Sequence, residues 1–227
     1  MSDRITRWNE KKHLRSSRIA ALQLHLSRET QGKHLGHVII IGNVSVGKSC
    51  ILIALQGNVV PHSMQSTVAV DFCDDLQPMG PQLSLRVCDL PGQSYYYTRC
   101  SVMNMYLRNT DVVLVVFDCT DTDSFNNVGN WYNAIAQLKT DLPYFILVCN
   151  KTDMKNERVV STEQALACAE KYNMEYLEIS TWANENIHLL GQTISSLTSD
   201  MREFQSFKPH QTIRLQVPKF ESKCCLK

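Results

Sequence analysis

Gly42-Asn43-Val44-Ser45-Val46-Gly47-Lys48-Ser49 decides how this chain is read. It fits the pattern Gly-x-x-x-x-Gly-Lys-Ser in full, and its setting fits as well. The β-branched run His37–Ile41 precedes it, and a helical pattern over Gly47–Gln56 overlaps its end and closes at Gly57. A strand that feeds a helix through such a loop turns backbone N–H groups and the helix N-terminus toward one point, where a β-phosphate is favoured. Lys48 then neutralises β- and γ-phosphate oxygens, and the Ser49 hydroxyl is a ligand for Mg²⁺. The motif specifies a nucleotide and leaves its base open.

Asn150-Lys151-Thr152-Asp153 supplies the base. It follows the apolar run Tyr144–Cys149, which puts it at the C-terminal edge of a buried strand, where ligands bind in open α/β sheets. Guanine presents N1–H and N2–H₂ as adjacent donors, and a carboxylate at Asp153 accepts both. Adenine has an acceptor at N1 and nothing at C2, so the same carboxylate would be repelled and unpaired. Asn150 is expected to tie neighbouring loops together, and the Lys151 stem to lie on the base. Together the two motifs favour a guanine nucleotide over ATP, and an ATP-using P-loop enzyme also fails for want of an Arg-rich lid.

The rest of the pattern alternates strand and helix. Thr67–Cys73 and Leu83–Cys88 read as strands joined by a turn around Pro78-Met79-Gly80-Pro81, and Val112–Phe117 as a doubly buried strand. Asp123–Lys139 reads as one helix, because Phe125, Val128, Trp131, Ile135 and Leu138 recur at helical spacing. Ser161–Tyr172 is a helix with a capping box at Ser161 and Gln164. Glu175–Ile179 is a last strand, and residues 186–204 a last helix. Such repetition predicts an α/β fold around a mainly parallel sheet.

Asp89-Leu90-Pro91-Gly92-Gln93 closes the second of those strands. An acid at Asp89 can hold Mg²⁺ through water, the Gly92 N–H can touch a γ-phosphate, and Gln93 can orient an attacking water as the catalytic group. Thr67 is a candidate second Mg²⁺ ligand. A loop of this kind orders according to whether the γ-phosphate is present.

The set Gly42–Ser49, Thr67, Asp89–Gln93 and Asn150–Asp153 resembles the Ras superfamily of small GTPases, and the finer text resembles its Rab branch. Phe117-Asp118-Cys119-Thr120-Asp121 with Ser124-Phe125-Asn126-Asn127-Val128 is similar to a stretch typical of Rabs, as is Arg158-Val159-Val160-Ser161-Thr162-Glu163-Gln164-Ala165. The resemblance implies a three-layer P-loop domain with a six-stranded sheet flanked by five helices, GTP/GDP cycling with Mg²⁺, effectors, an exchange factor and a GTPase-activating protein. It adds Cys50, Ser180, Thr181 and Trp182 to the guanine site, the last three in place of a Ser-Ala-Lys loop whose backbone N–H meets guanine O6.

Four departures bear on mechanism. Val44 stands where the family has Gly or Ser, and a branched side chain there projects toward the γ-phosphate and the Gln93 water, so hydrolysis should be slow and an inserted arginine finger blocked. Val60 stands where the family stacks an aromatic on guanine, so release should be fast. Trp182 replaces a Lys whose stem covers the base; the residues leave open whether its indole stacks or packs elsewhere. Cys88, Ser94 and a segment to Tyr106 about three residues longer than usual alter the second switch region by comparison with the family. There Tyr95-Tyr96-Tyr97 is either an effector-facing patch or local packing.

Charge is segregated along the 227 residues. Residues 1–35 hold eight Lys/Arg against three Asp/Glu (net +5), residues 36–200 nine against seventeen (−8), and residues 201–227 six against two (+4). We read 1–35 as a basic extension, 36–204 as the GTPase domain and 205–227 as a linker to Cys224-Cys225-Leu226-Lys227. The terminal Lys fits a one-chain Cys-a-a-X signal poorly. The double Cys is similar to Rab tails in which both thiols are geranylgeranylated, and two chains with a basic linker hold a membrane where one would not. The expectation is a monomer, lipid-anchored on the cytoplasmic face of an intracellular membrane with a cytosolic pool. No aromatic-studded basic patch points to nucleic acid. Nine Cys, seven of them scattered through the body, argue against a disulfide framework. Two function classes remain: a hydrolysing switch, and a GTP-held interaction scaffold with negligible catalysis.

Overall fold

The computed structural model describes residues 34–61, 71–76, 83–89, 106–107, 109–138 and 141–206. Its strands are β1 (His34–Gly42), β2 (Asp71–Leu76), β3 (Leu83–Asp89), β4 (Val112–Asp118), β5 (Tyr144–Asn150) and β6 (Glu175–Glu178). They form one six-stranded sheet in the order β2-β3-β1-β4-β5-β6. β2 runs antiparallel to β3, and the other pairings are parallel. The helices are α1 (Lys48–Leu55), α2 (Thr122–Asn126), α3 (Val128–Ala136), α4 (Thr162–Lys171) and α5 (Ile187–Ser206).

Side chains that alternate along a strand go to opposite faces, so a sheet covered on both sides needs apolar residues at every position. β4 meets that demand from Val112 to Phe117 and is buried along its whole length, its closing Asp118 included. Val38, Ile40, Leu114, Val116, Ile146 and Val148 pack on one face with Ile51 and Leu52 of α1 and Leu190 and Ile194 of α5. Ile39, Ile41, Val113, Val115, Leu147 and Cys149 pack on the other with Trp131 and Ile135 of α3 and Ala165 and Ala169 of α4. The result is three layers. Among the described residues no helix is long and apolar enough to cross a membrane.

Three elements differ from the sequence reading. β1 starts at His34, three residues before the compact apolar run, because Leu83–Leu85 of β3 pair with residues 34–36. β2 runs past Cys73 to Leu76, which pairs with Leu85 of β3; Asp74 and Asp75, poor strand formers, fall where the register shifts between Cys73 and Leu76. The single helix read over Asp123–Lys139 is two helices meeting at Asn127, and the second ends at Ala136. The backbone stays right-handed helical at Asn127 (φ −79°, ψ −7°), whose N–H donates to the Asp123 carbonyl and whose carbonyl accepts from the Trp131 N–H, both at 3.1 Å. The capping box at Ser161 and Gln164 is present as read. Among the described residues Cys50, Cys73, Cys119, Cys149 and Cys168 form no disulfide.

Candidate nucleotide site

The C-terminal ends of β1, β4 and β5 lie side by side, with Gly42 opposite Val116 and Asp118 opposite Asn150. The phosphate loop leaves β1 at Gly42, whose φ is 146°; a Cβ there would collide with the Val116 carbonyl. Gly47 takes φ 94°, and a Cβ on it would strike the Asn150 side-chain amide. Ser45 (φ 64°) and Lys151 (φ 63°) are both left-handed without being glycine. Such residues cost about 1–3 kcal/mol each and persist only where their surroundings hold them.

Lys48, the first residue of α1, is buried, and its Nζ donates to the Asn43 carbonyl at 2.8 Å. It is thus folded back over the loop rather than pointing away from it. Asn43 Oδ1 in turn accepts from the indole N–H of buried Trp131 at 3.2 Å. Gly47 caps α1 without a side-chain acceptor, and no acidic residue occupies its first turn. That leaves a helix N-terminus suited to an anion. Ser49 and Cys50 follow in the first turn, partly exposed, and Val46 is buried. Val44 is 44% exposed at the crest of the loop.

Asn150 holds the two halves of the site together. Fully buried at the end of β5, it donates Nδ2 to the Val46 carbonyl at 2.9 Å. Its Oδ1 accepts the Thr181 N–H at 3.2 Å. The Thr181 N–H, expected to face guanine O6, is therefore engaged in this frame. Ser180 donates its hydroxyl to Asp153 Oδ1 at 2.5 Å and accepts the Ala183 N–H at 2.9 Å. Thr152 is fixed by its Oγ1–H bond to the Ile179 carbonyl. Asp153 is thus aimed by a hydroxyl that is itself aimed, and Oδ2 has no partner among the described residues.

Two contributors escaped the sequence reading. Asp118, at the end of β4, is buried and pairs with Lys151 Nζ at 2.5 Å. It also accepts from the Thr120 N–H and hydroxyl, both at 2.8 Å. Next to it, the Cys119 thiol donates to the Lys151 carbonyl at 3.2 Å, and burial pushes that thiol above its ordinary pKa. The signal for Asp118 was there to find: an acid that ends a wholly apolar strand beside Asn150. Trp131 carried no such signal, since it fits the apolar face of its helix.

Val60 is partly buried against the α1–α5 side of the core. With Trp182, which is 56% exposed, it lines a cavity of about 570 Å³ between Ala54 and Leu55 of α1 and Ile187, His188 and Gly191 of α5. Asp89 ends β3, one strand over from the phosphate loop, with its Cα opposite Ile40. Thr67, Leu90–Gln93 (with Gly92 and the catalytic candidate Gln93), Ser94, Tyr95–Tyr97, the turn at Pro78–Pro81, the basic extension before His34 and the tail with Cys224 and Cys225 lie outside the described residues.

The Ras family model matches residues 37–201, which include both loops. The chain belongs to the Ras family. As a Ras-family protein it is a GTPase, with GTP as its substrate. Its similarity runs to Ras-related protein RABD2c of Arabidopsis thaliana, 32% identical over 197 residues, 85% of this chain and 96% of the relative. It is also similar to Ras-related protein Rab-1D of Dictyostelium discoideum, 32% identical over 73% of this chain and 82% of the relative. Ras-related protein SEC4 of Candida albicans is 30% identical over 72% of this chain and 77% of the relative. The Rab-like text in this Ras-family chain has a structural counterpart: Arg158 forms a two-pronged pair with Glu178, at 2.7 and 3.0 Å, and so fastens the loop after β5 to β6.

Proposed function

We propose that this GTPase is a Rab-like switch that recruits effectors to a membrane in vesicle traffic, and that it hydrolyses GTP slowly. The observation that carries the reading is the Asn150 frame, which fixes the phosphate loop and the Asp153 loop relative to each other. In it, Asp153 accepts N1–H and N2–H₂ of guanine, Lys151 covers the base, and the neighbouring Cys50, Ser180, Thr181 and Trp182 enclose it. Val46, Gly47 and Lys48 take the β-phosphate, with Asn43, Val44 and Ser45 closing the loop over the chain. Lys48 neutralises β- and γ-oxygens from the position its bond to Asn43 gives it.

Ser49 and Asp89 suit Mg²⁺, with Thr67 as a further ligand in the GTP form; the ion, when bound, offsets charge on the phosphate oxygens. The Gly92 N–H meets the γ-phosphate and Gln93 orients the water. Val44 narrows the space that this water and an arginine finger need. Cys224 and Cys225, doubly prenylated behind a basic linker, would hold the membrane, leaving the GTPase domain as a monomer in the cytosol's reach for its exchange factor and GTPase-activating protein.

The exposed Val44 favours a second reading, a GTP-held scaffold on the same membrane. Chromatography of denatured extract of the purified protein, before and after incubation with Mg²⁺, separates the two. Co-purifying GDP and slow turnover of added GTP support the switch. Persistent, unhydrolysed GTP supports the scaffold.

A further inference from the structure

We propose that Asp118 is a positioning residue for guanine binding, acting through the Lys151 ammonium. The inference rests on the guanine reading of the Asp153 loop and adds a residue to it. Lys151 is the hinge of that loop: its backbone is left-handed, and its carbonyl is held by the Cys119 thiol. A Lys side chain has four rotatable bonds, and fixing them costs up to about 2 kcal/mol of rotamer entropy. Left to itself, the stem would sample solvent and cover the base for only part of the time.

Asp118 removes that freedom. Its side chain is 7% exposed and that of Lys151 33%, so the carboxylate is the fixed end of the pair. The Thr120 N–H and hydroxyl both bind Oδ1, which leaves Oδ2 facing Nζ. The ammonium is pinned at the end of β4 and the aliphatic stem is drawn taut across the mouth of the loop. An apolar strip over one face of a flat base needs no specific base chemistry. Asp118 should therefore govern how long a nucleotide stays, while Asp153 governs which base is accepted.

The test is the release rate of a fluorescent GDP analogue from the full-length protein, in a double-mutant cycle. Asp118→Asn keeps the shape and the Thr120 bonds and loses the charge; release should rise about tenfold. Lys151→Met keeps the stem and loses the ammonium, and should rise by a similar factor. The double variant should be no faster than the quicker single. The preference for GDP over inosine diphosphate, which lacks the 2-amino group, should be unchanged in Asp118→Asn. If Asp118→Asn does not fold, a silent Lys151→Met overturns the proposal on its own, and a faster one supports it. Unchanged release in Asp118→Asn, or effects that multiply in the double variant, would overturn it while leaving the guanine reading intact. A wild-type protein that holds no guanine nucleotide would instead overturn that reading.

Discussion

The Asn150 side chain donates to the carbonyl of Val46, 104 positions earlier in the chain, at 2.9 Å and out of reach of water. One amide thus joins the Gly42–Ser49 loop, which we assign to phosphate, to the Asn150–Asp153 loop, which we assign to the base. Asn150→Ala leaves the Val46 carbonyl and the Thr181 N–H buried without it. Each orphaned group costs about 1–3 kcal/mol, so GDP affinity should fall by about a hundredfold or more. Isothermal titration with GDP checks this.

Val44→Gly should speed hydrolysis. The branched side chain at the crest of the loop is the one obstacle the sequence adds to an otherwise complete phosphate loop. Its removal should raise the single-turnover rate by about tenfold, or roughly 1.4 kcal/mol of barrier. An unchanged rate with GTP pre-bound would show that Val44 does not crowd the reacting centre.

Val60→Phe should slow GDP release by about two- to tenfold, the worth of one added aromatic contact of about 0.5–1.5 kcal/mol. The cavity beside Val60 has room for the ring, so the variant should fold without strain. A stopped-flow chase with excess unlabelled GDP reads the rate directly.

Glu178 gives the fold an acid-sensitive joint. Burial alone would raise its carboxyl, but donors from Arg158, Tyr176 and Thr162 outweigh it and hold the group at about 2, against an ordinary 4.5. A lowered folded-state value means that its stabilisation is complete above the ordinary range and is lost as pH falls from about 4.5 toward 2. Thermal melts should show Tm falling through that window in the wild type. Glu178→Gln should start lower at pH 7 and lose less between pH 5 and 3.

Local chemistry was legible in the sequence and long-range competition was not. The Ser161 capping box lies within four residues and follows from side-chain reach alone. The two loops were legible because each needs fixed residue types at fixed spacing. The division at Asn127 leaves the apolar spacing intact, since the residue keeps helical backbone angles, and so the pattern carries no mark of it. The run of β2 through Asp74 and Asp75 depends on β3, which no local pattern contains. Asp118 was quoted as part of a resemblance and not as chemistry, because its partner Lys151 lies 33 positions away and only the β4–β5 register brings them together.

Gly47 cannot gain a side chain without striking the Asn150 amide. The ban on bulk at that position is thus imposed from within the protein, before any phosphate arrives, and the same amide sets the level of the base loop. In the proposed site, grip and recognition share a single keystone. A nucleoside without phosphates, or a triphosphate without a base, would engage half of an arch whose halves bear on each other. Each should bind far more weakly than its share of the contacts, and whatever pries up either side should free the whole nucleotide at once.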